Sequence, residues 1–155
     1  MTLSGNQKRK MRSAARFFAV QALFQMEAGA QTVDRVVKEF EDHRFGEVFD
    51  DYEMAEADVD LFRALMETAV NLQAKIDQMT DRALVAKWPI GRIDPTLRAL
   101  FRAAGAELVD SDTPPKVVIT EFVDIARAFF PESDEPKFAN AVLDHMAREA
   151  RPEAF

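Results

Sequence analysis

Apolar residues recur along this chain at intervals of three and four, the spacing that lines one face of an α-helix, and strand-like alternation is rare. The first such run predicts a helix over about 8–28. Ala15, Phe18, Ala22 and Gln25 mark one line of it, Phe17, Val20, Leu23 and Phe24 widen the apolar face, and Gly29 is a plausible stop. Thr32 is placed to cap a second helix to about His43, with Val33, Val36, Val37 and Phe40 inward. A long helix is expected from about Asp58 into the seventies, facing the core through Val59, Phe62, Leu65, Met66, Ala69, Val70 and Leu72. A further one over about 73–87 uses Ile76, Met79, Ala83 and Leu84, and periodicity does not decide whether the two are continuous or kinked. Trp88-Pro89 ends the run, because a residue before proline avoids the helical region.

Asp94-Pro95 reads as an N-cap followed by proline at the first helical position, opening a helix to about Val109. Thr113-Pro114 repeats that signal for a helix to about Phe130. Val117 to Thr120 is β-branched, but the stripe Val118, Phe122, Ile125 and Phe129 is helical. Pro131 stops it, and Ser133 or Asp134 starts a last helix with Phe138, Val142, His145 and Met146 along one line. The most acidic stretch, 41–60, contains an acidic connection over about 41–58, expected as a solvated link with a short helical turn. The fold class that follows is all-α, about seven helices in one domain over 1–155. Its sub-bundles are expected near 8–87 and 94–149, with the weakest seam near 87–94.

Composition then narrows the chemistry. The chain has no cysteine, which excludes disulfides, thiolate metal sites and cysteine nucleophiles. No apolar run approaches the roughly 18 residues needed to cross a bilayer, and no signal peptide stands out, so a soluble, cytoplasmic protein is expected. His43 and His145 are the two histidines, and neither has a second ligand at metal-binding spacing. HExxH, P-loop, GxGxxG and GxSxG motifs are absent, as is the calcium-loop spacing in the acidic stretch. The expectation is therefore no metal, no cofactor and no catalysis.

Charge is the positive clue. Net charge is −7, yet residues 1–26 carry Lys8, Arg9, Lys10, Arg12 and Arg16 with no acid before Glu27, a segment of +5. The rest of the chain holds 15 basic against 27 acidic side chains, or −12. Such asymmetry points to contact with a polyanion at one place, the alternative being a solvated basic tail without a partner. Arg9, Arg12 and Arg16 share one helical face, and arginine suits both forked phosphate contacts and stacking. Phe24, two turns beyond Arg16, is either a base-stacking platform or simple core.

Several segments together resemble one family. Arg16 with Ala19-Val20-Gln21-Ala22-Leu23-Phe24-Gln25 resembles the first helix of the NusB antitermination factors, and Trp88-Pro89-Ile90-Gly91-Arg92-Ile93 their middle segment. Phe101-Arg102-Ala103-Ala104 with Glu107-Leu108 is similar to the LR-x-A-x-x-EL pattern, and Pro114 to Glu121 to P-x-K-VAINE. Lys137-Phe138-Ala139-Asn140-Ala141-Val142-Leu143-Asp144 is similar to KFVNGVLD. The match is collinear over about 10–147. The resemblance implies two small helical bundles and RNA binding without catalysis. The implied ligand is single-stranded boxA RNA of ribosomal RNA leaders, bound together with NusE, a ribosomal small-subunit protein. Other Nus factors and RNA polymerase are implied indirectly, and a homodimer that hides the RNA face is compatible with it. By position, the implied RNA face comprises Lys8, Arg9, Lys10, Arg12, Arg16, Phe24, Arg102, Lys137 and Phe138. Phe24 replaces a frequent Tyr, so it can stack but has no hydroxyl to donate. Two other readings stand beside this one. The first is a helical protein-binding adaptor. The second is a NusB-like accessory domain of an rRNA methyltransferase, against which 155 residues leave no room for a cofactor-binding catalytic domain.

Overall fold

The computed structural model describes residues 3–44, 57–84 and 93–155, with the backbone of 48–49 and 52–53. Seven α-helices carry the described residues: α1 (Gly5–Gly29), α2 (Val33–His43), α3 (Val59–Asn71), α4 (Gln73–Ala83), α5 (Pro95–Val109), α6 (Pro115–Phe129) and α7 (Glu135–Ala150). The all-α expectation holds. In the acidic connection, β1 (Val48–Phe49) and β2 (Tyr52–Glu53) pair antiparallel where a short helical turn was expected. The Trp88-Pro89 helix stop and most of the seam at 87–94 lie outside the described residues.

Local chemistry sets most helix ends. The Thr32 hydroxyl accepts from the Arg35 N–H at 3.4 Å, the Asp58 carboxylate from Leu61 at 3.0 Å, and Asp94 from Thr96 at 2.7 Å with Pro95 next. Each satisfies a backbone donor that the helix itself leaves free. α1 starts earlier than its apolar pattern because Ser4 and Gln7 form a reciprocal capping box, with bonds of 3.1 and 2.8 Å. Thr113 is not a cap: Pro114 occupies that position, and the buried Thr113 instead accepts on its carbonyl from Arg151 Nη1 at 2.5 Å. A break at Leu72 separates α3 from α4, which settles the question in favour of two helices; Leu72 and Val59, expected inward, are exposed.

α5 is the central helix, touching α1, α3, α4, α6 and α7. Its buried run Ala103, Ala104, Gly105 and Ala106 is made of small side chains, which lets several neighbours approach its backbone together. The buried apolar residues join one cluster. The approach is tightest at Gly105, where an added Cβ would lie 2.4 Å from Ile76 Cγ2 on α4 and 3.4 Å from Met146 Cε on α7. Ile76 is β-branched in a helix, so its methyl has little freedom to retreat. Gly105→Ala is therefore expected to lower stability by about 1–3 kcal/mol in spite of alanine's better helix propensity. Urea unfolding would check this, and the loss should shrink in an Ile76→Ala background if the clash is the cause.

Candidate nucleic-acid interface

Arg16 sits in the middle of α1 and is 2% exposed, so it is not part of a surface stripe. Its guanidinium grips Glu107 of α5 with Nε and Nη2, both at 2.7 Å, and reaches Glu121 of α6 with Nη1 at 3.0 Å. Glu107 is fully buried, and the Ser13 hydroxyl donates to Glu121 at 2.9 Å. Burial alone would push the Arg16 guanidinium down. The hydrogen bond and charge of Glu107, with the charges of Glu121 and Asp58, outweigh it and hold the group above its ordinary value. The sequence-based assignment of Arg16 to the RNA face is thus corrected: its donors are spent on two carboxylates inside the protein.

The same contacts orient α1. Arg16 meets Glu107 and Glu27 meets Arg98, so α5 runs antiparallel to α1. Ser13 meets Glu121 and Phe17 stacks on Phe129, so α6 runs parallel. The first buried side chain of α1 is Ala14; residues 5–10 are all exposed, as is Arg12. The first turns of α1 therefore extend past the core. They display Lys8, Arg9, Lys10 and Arg12, and none of these four side chains makes an ion pair or hydrogen bond among the described residues. Most other arginines are neutralised: Arg63 by Glu41, Arg82 by Glu149, Arg98 by Glu27 and Arg102 by Asp77.

The remaining predicted residues do not join these cations in one patch. Phe24 lies twelve residues beyond Arg12, about 18 Å along the helix. It is 40% exposed at the wall of a cavity of about 620 Å³ that α1 forms with Phe40, Thr96 and Phe129. Arg102 is held bidentate by Asp77 of α4 at 3.0 and 2.9 Å and lies 3.7 Å from Glu27 of α1, so it acts as a clamp between helices. Phe138 is half-buried and forms a T-shaped pair with Phe101, the ring centres 6.4 Å apart. Lys137 is exposed beside Asn140 in a second groove, lined by Val123, Phe130 and Pro136. Phe129 and Phe130, at the end of α6, border the two grooves in turn. Among the described residues no cluster of three or more His, Asp or Glu side chains is arranged to hold a metal ion. No described helix is long and apolar enough to cross a membrane.

These features define an all-helical protein whose charge is sorted, with an acidic body and an unneutralised cationic helix end, the layout of a polyanion-binding adaptor. The NusB family model matches residues 13–148. The chain is 46% identical over 147 residues to the transcription antitermination protein NusB of Maricaulis maris, covering 94% of this chain and 91% of that protein. It is 47% identical over 144 residues to the NusB protein of Agrobacterium fabrum, covering 92% and 87%. Among solved structures, Thermotoga maritima NusB superposes with a TM-score of 0.74 at 26% identity, covering 100% of this chain and 99% of that one. A NusB chain from a crystal structure of NusB and NusE with double-stranded RNA shares the fold, with a TM-score of 0.70 at 24% identity over 88% and 96%. The chain belongs to the NusB family, a family of non-catalytic transcription antitermination factors.

Because two carboxylates converge on Arg16, Arg16→Ala should destabilise the fold by about 3–5 kcal/mol, the cost of leaving a buried charge unpaired. The double variant Arg16→Met/Glu107→Leu should recover most of that loss in chemical denaturation, since an apolar pair of similar volume leaves no buried charge on α5.

Proposed function

We propose that this chain binds single-stranded boxA RNA of ribosomal RNA leader transcripts together with NusE, and through NusE acts on transcribing RNA polymerase. The observation that carries the reading is the exposed start of α1, where four cations face solvent without internal partners on a protein of net charge −7. Residues 27–155 sum to −12, so the field of the body favours encounter at that end. Lys8, Arg9, Lys10 and Arg12 take phosphates, while Phe24 offers an exposed face for stacking. Lys137 adds a charge at the groove beside the end of α6, and the half-buried Phe138 follows it on α7. Arg102 serves by holding α4 and the end of α1 on α5. The structure of NusB and NusE with double-stranded RNA, which shares the fold, supports NusE and RNA as the classes of partner.

The test is equilibrium binding of labelled boxA and scrambled RNA, with and without NusE, over a range of salt. Preference for boxA, increased by NusE, is expected. Replacing Lys8, Arg9, Lys10 and Arg12 together by alanine should weaken both RNAs and reduce the slope of log K against log salt by up to about 2.8, roughly 0.7 for each single-strand phosphate that is no longer neutralised. An unchanged slope in that variant would remove the α1 start from the interface.

A further inference from the structure

Both acceptors that hold Arg16 grow from one joint. Glu107 stands in the last turn of α5 and Glu121 in the second turn of α6, and only residues 110–114 separate the two helices. The placement of α1 therefore depends on how firmly that joint is made. Its main chain is short of donors. The Asp110 N–H bonds to the Ala106 carbonyl, and beyond it the carbonyls of Glu107 and Leu108 have no backbone donor among the described residues. Arg151, which closes α7, supplies what is missing. Its Nε donates to the Leu108 carbonyl at 2.8 Å, Nη2 to Glu107 at 3.0 Å and Nη1 to Thr113 at 2.5 Å. The Ser111 hydroxyl adds a bond to the Glu107 carbonyl at 2.7 Å and accepts from the Thr113 N–H at 3.2 Å. Arg151 meets no carboxylate among the described residues; all three of its nitrogens are spent on the main chain that leads from α5 into α6. Phe138 meets Phe101 and Arg151 meets Leu108, so α7 runs parallel to α5 and ends at the side of the bundle from which α1 starts.

We propose that Arg151 is a positioning residue for RNA binding: it ties the end of α7 to the joint between α5 and α6, holds Glu107 and Glu121 at the spacing the Arg16 fork requires, and so fixes how the cationic start of α1 leaves the core. The proposal rests on the RNA-binding reading above and extends it to a residue that acts through Arg16 rather than on the RNA. Lys8, Arg9, Lys10 and Arg12 engage several phosphates together only while the helix that carries them is held in one place; otherwise each contact must first order the group that makes it. Arginine suits the task at 151 because its planar guanidinium spans three carbonyls at once. A lysine keeps the charge but brings a single ammonium on a flexible stem, which cannot reproduce that span.

The experiment measures binding of boxA and scrambled RNA over a range of salt, with NusE, for wild type, Arg151→Lys, Ser111→Ala, Val36→Ala and the four-cation α1 variant, at a temperature where circular dichroism shows each to be folded. Arg151→Lys conserves net charge, so its effect is not a loss of long-range attraction. It is expected to weaken both RNAs, to lower the slope of log K against log salt by about 0.7–1.4, the equivalent of one or two single-strand phosphates, and to speed amide exchange over residues 11–17 of α1. Ser111→Ala loosens the same joint without touching Arg151 and should lower the slope by less; it decides the matter if Arg151→Lys does not fold. Val36→Ala opens a cavity in the core under α2, away from the joint, so stability falls while the slope stays at the wild-type value. In the Arg16→Met/Glu107→Leu background, Arg151→Lys should change the slope no further, because the pair through which it acts is gone. A wild-type slope in folded Arg151→Lys, or in Ser111→Ala where Arg151→Lys does not fold, overturns the proposal. An equal loss of slope in Val36→Ala also overturns it, since lowered stability alone would then suffice. An unchanged slope in the four-cation variant removes the RNA-binding role of the α1 start, and this proposal with it, a result separate from any seen at Arg151.

Discussion

Arg16, in the buried heart of the bundle, binds three helices at once. Its fork takes both oxygens of Glu107 from α5, and its remaining nitrogen takes Glu121 from α6. Apolar surfaces tolerate small slides and rotations, whereas this contact does not. Turning α1 by one residue would swing the guanidinium by about 100° and leave buried carboxylates facing hydrocarbon. The ion cluster therefore sets the register of α1 on its neighbours. That register in turn decides where α1 leaves the core, at Ala14, and which of its side chains emerge beyond it. The cationic end and the opening at Phe24 are both consequences of where Arg16 is pinned.

The distribution of charge gains its meaning from the same point. In the sequence the N-terminal segment counts as +5, but one of those charges is cancelled twice over inside the protein. Many of the described arginines elsewhere are matched by acids. The pairs Arg63–Glu41, Arg82–Glu149 and Arg127–Asp124 contribute little to stability because water screens them. They do neutralise these positive groups of the body, whereas Lys8, Arg9, Lys10 and Arg12 stand close together on one helix end without such partners among the described residues. Oriented encounter at that end needs no large basic patch; it needs the contrast.

What was legible in the chain was local. Thr32, Asp58 and Asp94 announced three helix starts because a capping side chain lies within a few residues of the amide that it serves. Helical stripes such as Val118, Phe122 and Ile125 predicted buried faces correctly. What depended on distant contacts was not legible. Arg16 continued the stripe of Arg9 and Arg12, and periodicity cannot say where along a helix a stripe passes from solvent into the core. A signal was nonetheless present. Arg16 stands between Ala14-Ala15 and Phe17-Phe18, and Glu107 between Ala106 and Leu108, two lone opposite charges inside apolar runs. Such complementary interruptions are what a buried pair looks like before its partners, 91 residues apart, are known to meet. Arg102 lacked such a marker, since its partner Asp77 is one acid among many on a helix surface.

Phe17 and Phe24 show how the ending of one helix creates a surface on another. They are seven residues apart on α1, almost two full turns, and so point in nearly the same direction. By pattern they are equivalent. Phe17 lies under α6, its ring parallel to Phe129 at 5.2 Å and 3°. Phe24 has no such cover, because α6, running parallel to α1, stops at Phe129 and is followed by Pro131. Proline lacks the N–H and the freedom of φ needed to extend the helix. Another two turns of α6 would reach the level of Phe24 and make it core, closing the space that Gln21 and Thr96 line. The difference between a packed ring and an exposed one therefore rests less on the residue at position 24 than on where a different helix, more than a hundred residues further along the chain, comes to an end.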